Sequence, residues 1–446
     1  MTDDLKTPPQ TVEIKPLADK VNFEIEIPGS KSIANRVLLT AGMAEGPSLA
    51  AGIPDCDDTW AALSVLEHLG VKHERLDDEM YRIHGTGHDF PRTTGDLDIR
   101  SAGTVGRFLP GLLASAPTGD WRLVSTEQLA RRPMAPLVDQ LRQWGADIAY
   151  EKEGDSFPLR VKATGLAGGE AEISAAASTQ FASGLLMAAP FAKNGGVVRI
   201  VDLDQEDRYI DTTMGIMRYF GAEIEHSIAP SGTALTVTVK PGKYRANDLR
   251  VEADLNAALN FLILPLLAGG RATVTNVSGE TAQPGNQLLK IFARLRGIVK
   301  IGRNDVSVAG NNKPKGGFEI NMRPMAEMAL AMAVLALFAD EPITMTNLGH
   351  IRNHETDRLA AIAELLGQVG AKTELGEDWV RIYPLPKEEI KNVTIDSRGD
   401  HRVVMAFSLL GLAGNGITIT NADSVSKTFP TFFKKLREIG AEVIAK

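Results

Sequence analysis

The sequence predicts an α/β protein of two domains, each assembled from three copies of one repeated unit, and two observations carry that expectation. The first is a recurring pattern in which an amphipathic helix ends at a glycine and an alternating, strand-like run follows. It reads LEHLGVKHE at Leu66, LRQWGADIAY at Leu141, MRYFGAEIEH at Met217, FARLRGIVKI at Phe292, LLGQVGAKTE at Leu365 and KKLREIGAEV at Lys434. Its glycines are Gly70, Gly145, Gly221, Gly297, Gly370 and Gly440, separated by 75, 76, 76, 73 and 70 residues. Glycine suits that point because the residue after the last helical turn usually adopts a left-handed conformation. The second observation is a more apolar helix in the same frame, starting at Val37, Phe108, Phe181, Leu259, Ala329 and Val403 and leading each time into a β-rich segment. Apolar nearly all round, these six helices are expected to be buried. The units exceed the roughly 20 to 50 residues of common solenoid repeats. They read instead as layered α/β domains, and six of them in 446 residues make two domains of three.

Bulk properties narrow the function classes. At 43% apolar content the chain can bury large cores. No apolar run reaches the roughly eighteen residues that span a bilayer, and Met1 to Gln10 is polar and acidic rather than signal-like, so the expected location is the cytoplasm. A single cysteine, Cys56, excludes an intrachain disulfide framework and is expected to serve as a small buried residue. The net charge of −8 argues against nucleic-acid binding, so an anionic ligand would need a local cluster of basic groups. The eight histidines show no metal-ligand spacing, and no metal or cofactor is expected.

Immediately before each apolar helix stands a polar cluster: PGSKSIANR (Pro28 to Arg36), RSAGTVGR (Arg100 to Arg107), ASTQ (Ala177 to Gln180), EADLNA (Glu252 to Ala257), NMRPMAE (Asn321 to Glu327) and GDHR (Gly399 to Arg402). Helix N-termini expose unpaired N–H groups and a partial positive charge, so each is a natural seat for phosphate or carboxylate. Taken singly, Ser, Thr, Asp or Asn in front of a helix is more often a cap than a ligand. Six clusters in one phase, four of them with Lys or Arg, are harder to dismiss. If both domains aim these ends at one cleft, a strongly anionic small ligand is the physical expectation.

These segments resemble the EPSP synthase family through nearly the whole chain. PGSKSxxNR, AGTxxR, RRPMxPLVDxLRxxGA, SxQFxSGLLMAAP, ETDR, DHR and KTFP occur in the family's order and roughly its spacing. The resemblance implies two inside-out α/β domains, each of three βαβαββ units with helix N-termini facing an interdomain cleft. Their expected extents are 1–28 with 253–446, and 29–252. It also implies a reaction: transfer of the enolpyruvyl group of phosphoenolpyruvate to the 5-hydroxyl of shikimate 3-phosphate, with release of phosphate, by a monomer that needs no cofactor and is inhibited by glyphosate.

The resemblance also assigns roles by position. Lys31 stands where the family's lysine contacts both substrates, and Ser32, Arg36, Ser178, Thr179, Gln180 and Tyr209 match the shikimate 3-phosphate site, with Glu327 and His354 from the other domain. Gly103, Thr104, Arg107 and Arg132, with Gln180, match the phosphoenolpyruvate side. Arg358, Arg402 and Lys427 look like a clamp on its phosphate and carboxylate, a task for which the planar guanidinium fork is suited. Glu327 is expected to accept the hydroxyl proton, and Glu355, with Lys31, to deliver a proton to the methylene carbon. The bland alternatives are a surface carboxylate capping the next helix for Glu327, and an intrahelical pair with Arg358 for Glu355. The chain departs from many members in having Glu327 for aspartate and His354 for lysine, a pairing found in some bacterial members. A phosphate-contacting serine of the family falls at Glu206 or Asp207, and Phe108 stands where many members have proline. Two rivals are an enolpyruvyl transferase acting on a nucleotide sugar, which usually carries a reactive loop cysteine, and a non-catalytic anion-binding paralogue.

Overall fold

The computed structural model describes residues 8–176, 178–203, 209–278, 281, 283 and 286–446. Ala177 of the third polar cluster, and Glu206 and Asp207, lie outside these residues. The chain divides into two compact units, Met1–Pro28 with Glu252–Lys446, and Gly29–Val251. Each has its own apolar core.

Among the described residues the strands form six four-stranded sheets, three in each unit, and all six share one topology. The sheet around the third apolar helix shows it. Gly169–Ser174 pairs in parallel with Gly196–Val201, which pairs antiparallel with Leu235–Val239, which in turn pairs with the edge strand Ile224–Ile228. A parallel pair cannot be closed by a tight turn and needs a crossover element. Thr179–Ala188 is that element, and Tyr209–Tyr219 leads into the final hairpin, giving the βαβαββ order.

Two sheets borrow their outer parallel strand from far along the chain. Leu249–Arg250 completes the sheet of Glu45–Ala51, and Val21–Ile25 completes that of Gly270–Val274. Thr11–Ile14 fills the third place in the last sheet, between Ile417–Thr420 and Val443–Ala445. The first segment of the chain therefore folds into the unit formed mainly by the last 195 residues, Glu252–Lys446.

The expected apolar helices are Lys31–Met43, Gly103–Ala114, Thr179–Ala188, Leu255–Leu262, Ala329–Ala336 and His401–Ala413. Every residue of Ala329–Ala336 and of His401–Ala413 is buried. Five of the six polar clusters sit at the helix start itself. The fifth, around Arg323, instead forms a 3-10 turn over Arg323–Met328 that Met325 interrupts before the α-helix begins.

Five of the repeat glycines have φ between 84° and 101°. The fourth repeat differs: Arg296 takes the left-handed position with φ 68°, and Gly297 follows it one residue later. The Arg296 guanidinium reaches Asp340 at 2.9 Å, a tie that glycine could not make.

Close approach also demands glycine at Gly29, where an added Cβ would lie 1.9 Å from the Gly52 carbonyl oxygen. Gly29→Ala should therefore lower the thermal midpoint, at a cost of about 3 kcal/mol or more, since the obstacle is backbone rather than a movable side chain. Exposed Gly215, inside Tyr209–Tyr219, has no neighbour within 4 Å of such a Cβ. Gly215→Ala should raise stability by about 0.5 to 1 kcal/mol through helix propensity. Calorimetric unfolding of the two variants checks both signs.

Candidate active site

In the unit Gly29–Val251 the site is assembled around helix N-termini. Arg36 is 1% exposed and is fixed from several sides. Its Nε donates to Thr213 Oγ1 at 2.7 Å, Nη1 to the Ser32 carbonyl at 2.9 Å and Nη2 to Ser183 Oγ at 3.3 Å. Its guanidinium lies 4.7 Å from the Phe108 ring centre and 5.8 Å from that of Tyr209. The apolar ring of Phe108 thus covers a buried cation, which water would otherwise solvate. Ser178 accepts from Gln180 N at 3.2 Å, so it caps the helix on which Thr179 and Gln180 sit. Lys31 opens the helix Lys31–Met43 and its Nζ lies 3.1 Å from Asp58 Oδ2.

Gly103 opens the next helix, whose start no side chain among the described residues caps. A Cβ at Gly103 would stand 2.8 Å from Arg107 Nη1 and 3.7 Å from Arg132 Nη1, so the hydrogen leaves room where two guanidinium groups converge. Arg107 donates to the Gly103 carbonyl at 3.1 Å and lies 5.2 Å from the Phe181 ring centre. Its Nε finds no hydrogen-bond partner among the described residues. Burial, and then the like charge of Arg132, push its pKa down to about 10. Crowded, dehydrated cations at the start of a helix gain most from an anion placed between them. Thr104 is buried on the same turn.

In the unit of Met1–Pro28 and Glu252–Lys446 the arrangement is an ion cluster centred on Arg358, which is 1% exposed. Its Nε and Nη2 bind Asp400 at 2.8 and 3.2 Å, Nη1 donates to Glu327 at 3.1 Å, and Nη2 donates to Glu355 at 2.9 Å. Nη1 also lies 2.9 Å from His354 Nδ1. A guanidinium can only donate, so Nδ1 is the acceptor in that contact. Lys427 Nζ donates to Glu355 at 2.7 Å, and Arg402 Nε lies 3.1 Å from Glu327.

The surrounding cations decide the ionisation of this cluster. Burial alone would raise the pKa of Glu327, but Arg358 and Arg402 outweigh it and hold the carboxyl well below the usual range. Burial is likewise outweighed at Glu355 by Arg358 and Lys427, and at Asp400 by Arg358. The carboxylates in turn raise the pKa of Arg358 against the effect of its burial. All three acids are therefore ionised at neutral pH.

The candidate residues thus gather in two sets. Lys31, Ser32, Arg36, Gly103, Thr104, Arg107, Arg132, Ser178, Thr179, Gln180 and Tyr209 belong to one unit, and Glu327, His354, Glu355, Arg358, Arg402 and Lys427 to the other. The pair of Glu355 with Arg358 does form, though not within a helix, since the helix begins only at Arg358, and Glu355 also binds Lys427. The bland alternative for Glu327 fails, because its carboxylate is engaged by two arginines. Sequence inspection missed Asp400 and Asp58. Asp400 looks like a simple cap, and it does accept from Arg402 N at 2.9 Å, but nothing local reveals its bidentate bond to a residue 42 positions away. Asp58 carries no motif signal at all. Cys56 is fully buried and burial pushes its thiol up to about 11, the opposite of a reactive loop cysteine. Among the described residues no helix is long and apolar enough to cross a membrane.

Comparison with known proteins agrees with this geometry. The sequence model of the EPSP synthase (3-phosphoshikimate 1-carboxyvinyltransferase) family matches residues 17–436. A protein named 3-phosphoshikimate 1-carboxyvinyltransferase 2 from Halalkalibacterium halodurans is 35% identical over 435 residues, covering 97% of this chain and 95% of its own length. The 3-phosphoshikimate 1-carboxyvinyltransferase of Marinomonas sp. is 34% identical over 430 residues, with 96% and 99% covered. In fold, the chain superposes on an EPSP synthase from Acinetobacter baumannii with a TM-score of 0.80 at 24% identity, covering 98% of this chain and all of that one. An enolpyruvyl transferase from Streptomyces tendae gives 0.75 at 15% identity, covering 98% and 99%. An α/β fold of six like units, with guanidinium, ammonium and carboxylate groups collected at helix starts, is here that of a transferase. The chain belongs to the EPSP synthase family.

The ion cluster makes stability depend on pH with a definite sign. Glu327, Glu355 and Asp400 hold their protons less tightly folded than unfolded. Their contribution is complete above the ordinary carboxylate pKa near ~4 and is lost as pH falls below it. The thermal midpoint should drop between about pH 5 and about pH 2, and less steeply in Asp400→Asn, which removes one of the three titrating groups. Parallel pH-melting curves for parent and variant would contradict this account.

Proposed function

We propose that the protein transfers the enolpyruvyl group of phosphoenolpyruvate to the 5-hydroxyl of shikimate 3-phosphate, forming EPSP and phosphate. The observation that carries this reading is Glu355 held between Lys427 and Arg358, at 2.7 and 2.9 Å, in a chain matched by the family over residues 17–436. Such a carboxylate next to an ammonium is a short proton path of the kind the addition step requires.

In this reading Lys31, Ser32, Arg36, Ser178, Thr179, Gln180 and Tyr209 hold the shikimate ester, with Glu327 and His354 at its hydroxyl side. Gly103, Thr104, Arg107, Arg132, Gln180, Arg358, Arg402 and Lys427, together with Lys31, hold phosphoenolpyruvate. Glu327, ionised by its arginines, suits the task of accepting the hydroxyl proton. Glu355 is also ionised as it stands and must be protonated before it can serve carbon. Arrival of an anionic substrate supplies the means: it draws the cations toward itself, raises the proton affinity of Glu355, and lets the proton pass from the adjacent ammonium of Lys427. Oxygen then adds to the cationic carbon, and the tetrahedral adduct collapses as Glu355 takes a proton back from the new methyl group while phosphate is expelled, which re-forms the carbon–carbon double bond. The guanidinium groups stabilise the charge that develops on the way. The cytoplasm, a monomeric state and independence of metals complete the proposal.

Phosphate release from phosphoenolpyruvate that depends on shikimate 3-phosphate tests the reading directly. Glu327→Gln and Glu355→Gln should each lower kcat by about 100-fold or more, the usual worth of a positioned acid or base. Release with a nucleotide sugar instead, or calorimetric binding of the ester without turnover, would point to one of the two rivals. Glyphosate should inhibit competitively with phosphoenolpyruvate. Gly103→Ala should raise KM for phosphoenolpyruvate, because its methyl enters the space between Arg107 and Arg132. Unchanged KM in that variant would remove phosphoenolpyruvate from this position.

A further inference from the structure

Lys31 is assigned to both substrates, yet its position at the first turn of a helix is electrostatically awkward. A cation there faces the positive end of the helix dipole. The compensating charge comes from Asp58, whose Oδ2 is 3.1 Å from Lys31 Nζ. Asp58 is 2% exposed, whereas the Lys31 side chain keeps 19% of its surface open to solvent. Its second oxygen, Oδ1, is buried with no hydrogen-bond partner among the described residues. A buried carboxylate with one oxygen unsatisfied is costly.

The surroundings show that this carboxylate is held in place rather than left to find Lys31. Asp58 lies in the first turn of the helix Asp57–His68, where negative charge is favoured. That helix start is locked by a reciprocal cap: Thr59 Oγ1 accepts from Cys56 N at 3.3 Å and contacts the Pro54 and Cys56 carbonyls, and Cys56 Sγ lies 3.5 Å from the same hydroxyl. The lysine side is fixed by backbone contact, because Gly29 packs against Gly52 with no room for a methyl group between them. The two helix starts are thus held by local contacts, and the pair spans the gap between them.

We propose that Asp58 is a positioning residue for enolpyruvyl transfer, acting through Lys31: it fixes where the ammonium stands while the substrate-facing side of that group remains accessible. The inference rests on the function proposed above. It adds a residue that neither the motifs nor the family resemblance singles out, and it predicts a loss expressed in turnover rather than in substrate affinity. Misplacing a reacting group by about 1 Å can cost on the order of 100-fold in rate.

Asp58→Asn, which keeps the shape and removes the charge, is the test variant, assayed as phosphate release dependent on shikimate 3-phosphate. The expected result is a kcat lowered by about 10- to 100-fold with KM for the ester changed by less than about threefold. Unaltered kcat overturns the proposal, as does a loss confined to KM. Thermal melting guards against a variant that merely folds poorly. Lys31→Met alone should lower the midpoint by stranding a buried carboxylate, and adding Asp58→Asn in that background should recover part of the loss. Strictly additive shifts overturn the pairing. Failure of the parent to release phosphate would defeat the functional reading instead, while the melting cycle still reports on the pair.

Discussion

The bond between Arg358 and Asp400 is the constraint on which the ion cluster of Glu327, Glu355, Arg402 and Lys427 depends. A guanidinium at 1% exposure is tolerable only with a fixed anion, and Asp400 supplies two oxygens at 2.8 and 3.2 Å. The same carboxylate caps the helix His401–Ala413 through Arg402 N, so one side chain ties the starts of two helices together. Glu355 and Glu327 then take the remaining edges of Arg358, and Lys427 and Arg402 are placed by those carboxylates in turn. Such a network contributes less to stability than to specificity of arrangement, because each charge costs desolvation that its partners roughly return.

The two units have solved opposite electrostatic problems with the same fold. In one, carboxylates and cations neutralise each other. In the other, Arg107 and Arg132 converge on Gly103 at an uncapped helix start, and burial, with the like charge of Arg132, lowers the pKa of Arg107. The contrast extends to caps. Asp254, Asp357 and Asp400 satisfy their own helix ends, whereas the ends beginning at Lys31 and Gly103 have no side-chain cap among the described residues. An uncapped helix start keeps its backbone donors available to an anion.

One topology used six times explains how these differences could arise without a change of fold. Every sheet keeps the order of a parallel pair followed by two antiparallel strands, and the buried helices start at the same phase of the repeat. Residues at that phase are thus equivalent in position and open to specialisation. The borrowed strands Leu249–Arg250 and Val21–Ile25 preserve the pattern across the points where the chain passes from one unit to the other.

The sequence by itself determined the repeat, the buried helices and the phase of the polar clusters, because periodicity and glycine placement are local properties that short-range physics reads directly. It also carried the family motifs, and with them Lys31, Glu327, Glu355, Arg358, Arg402 and Lys427. It misplaced the left-handed residue of the fourth repeat, which is Arg296 rather than Gly297, its guanidinium tied to Asp340 44 positions away. Tertiary structure alone decided which charges meet. Asp400 binding Arg358, Arg402 flanking Glu327, Phe108 covering Arg36 and Asp58 facing Lys31 are all pairings between separate elements. Their ionisation depends on distance and burial, and neither is written in the order of residues along a chain.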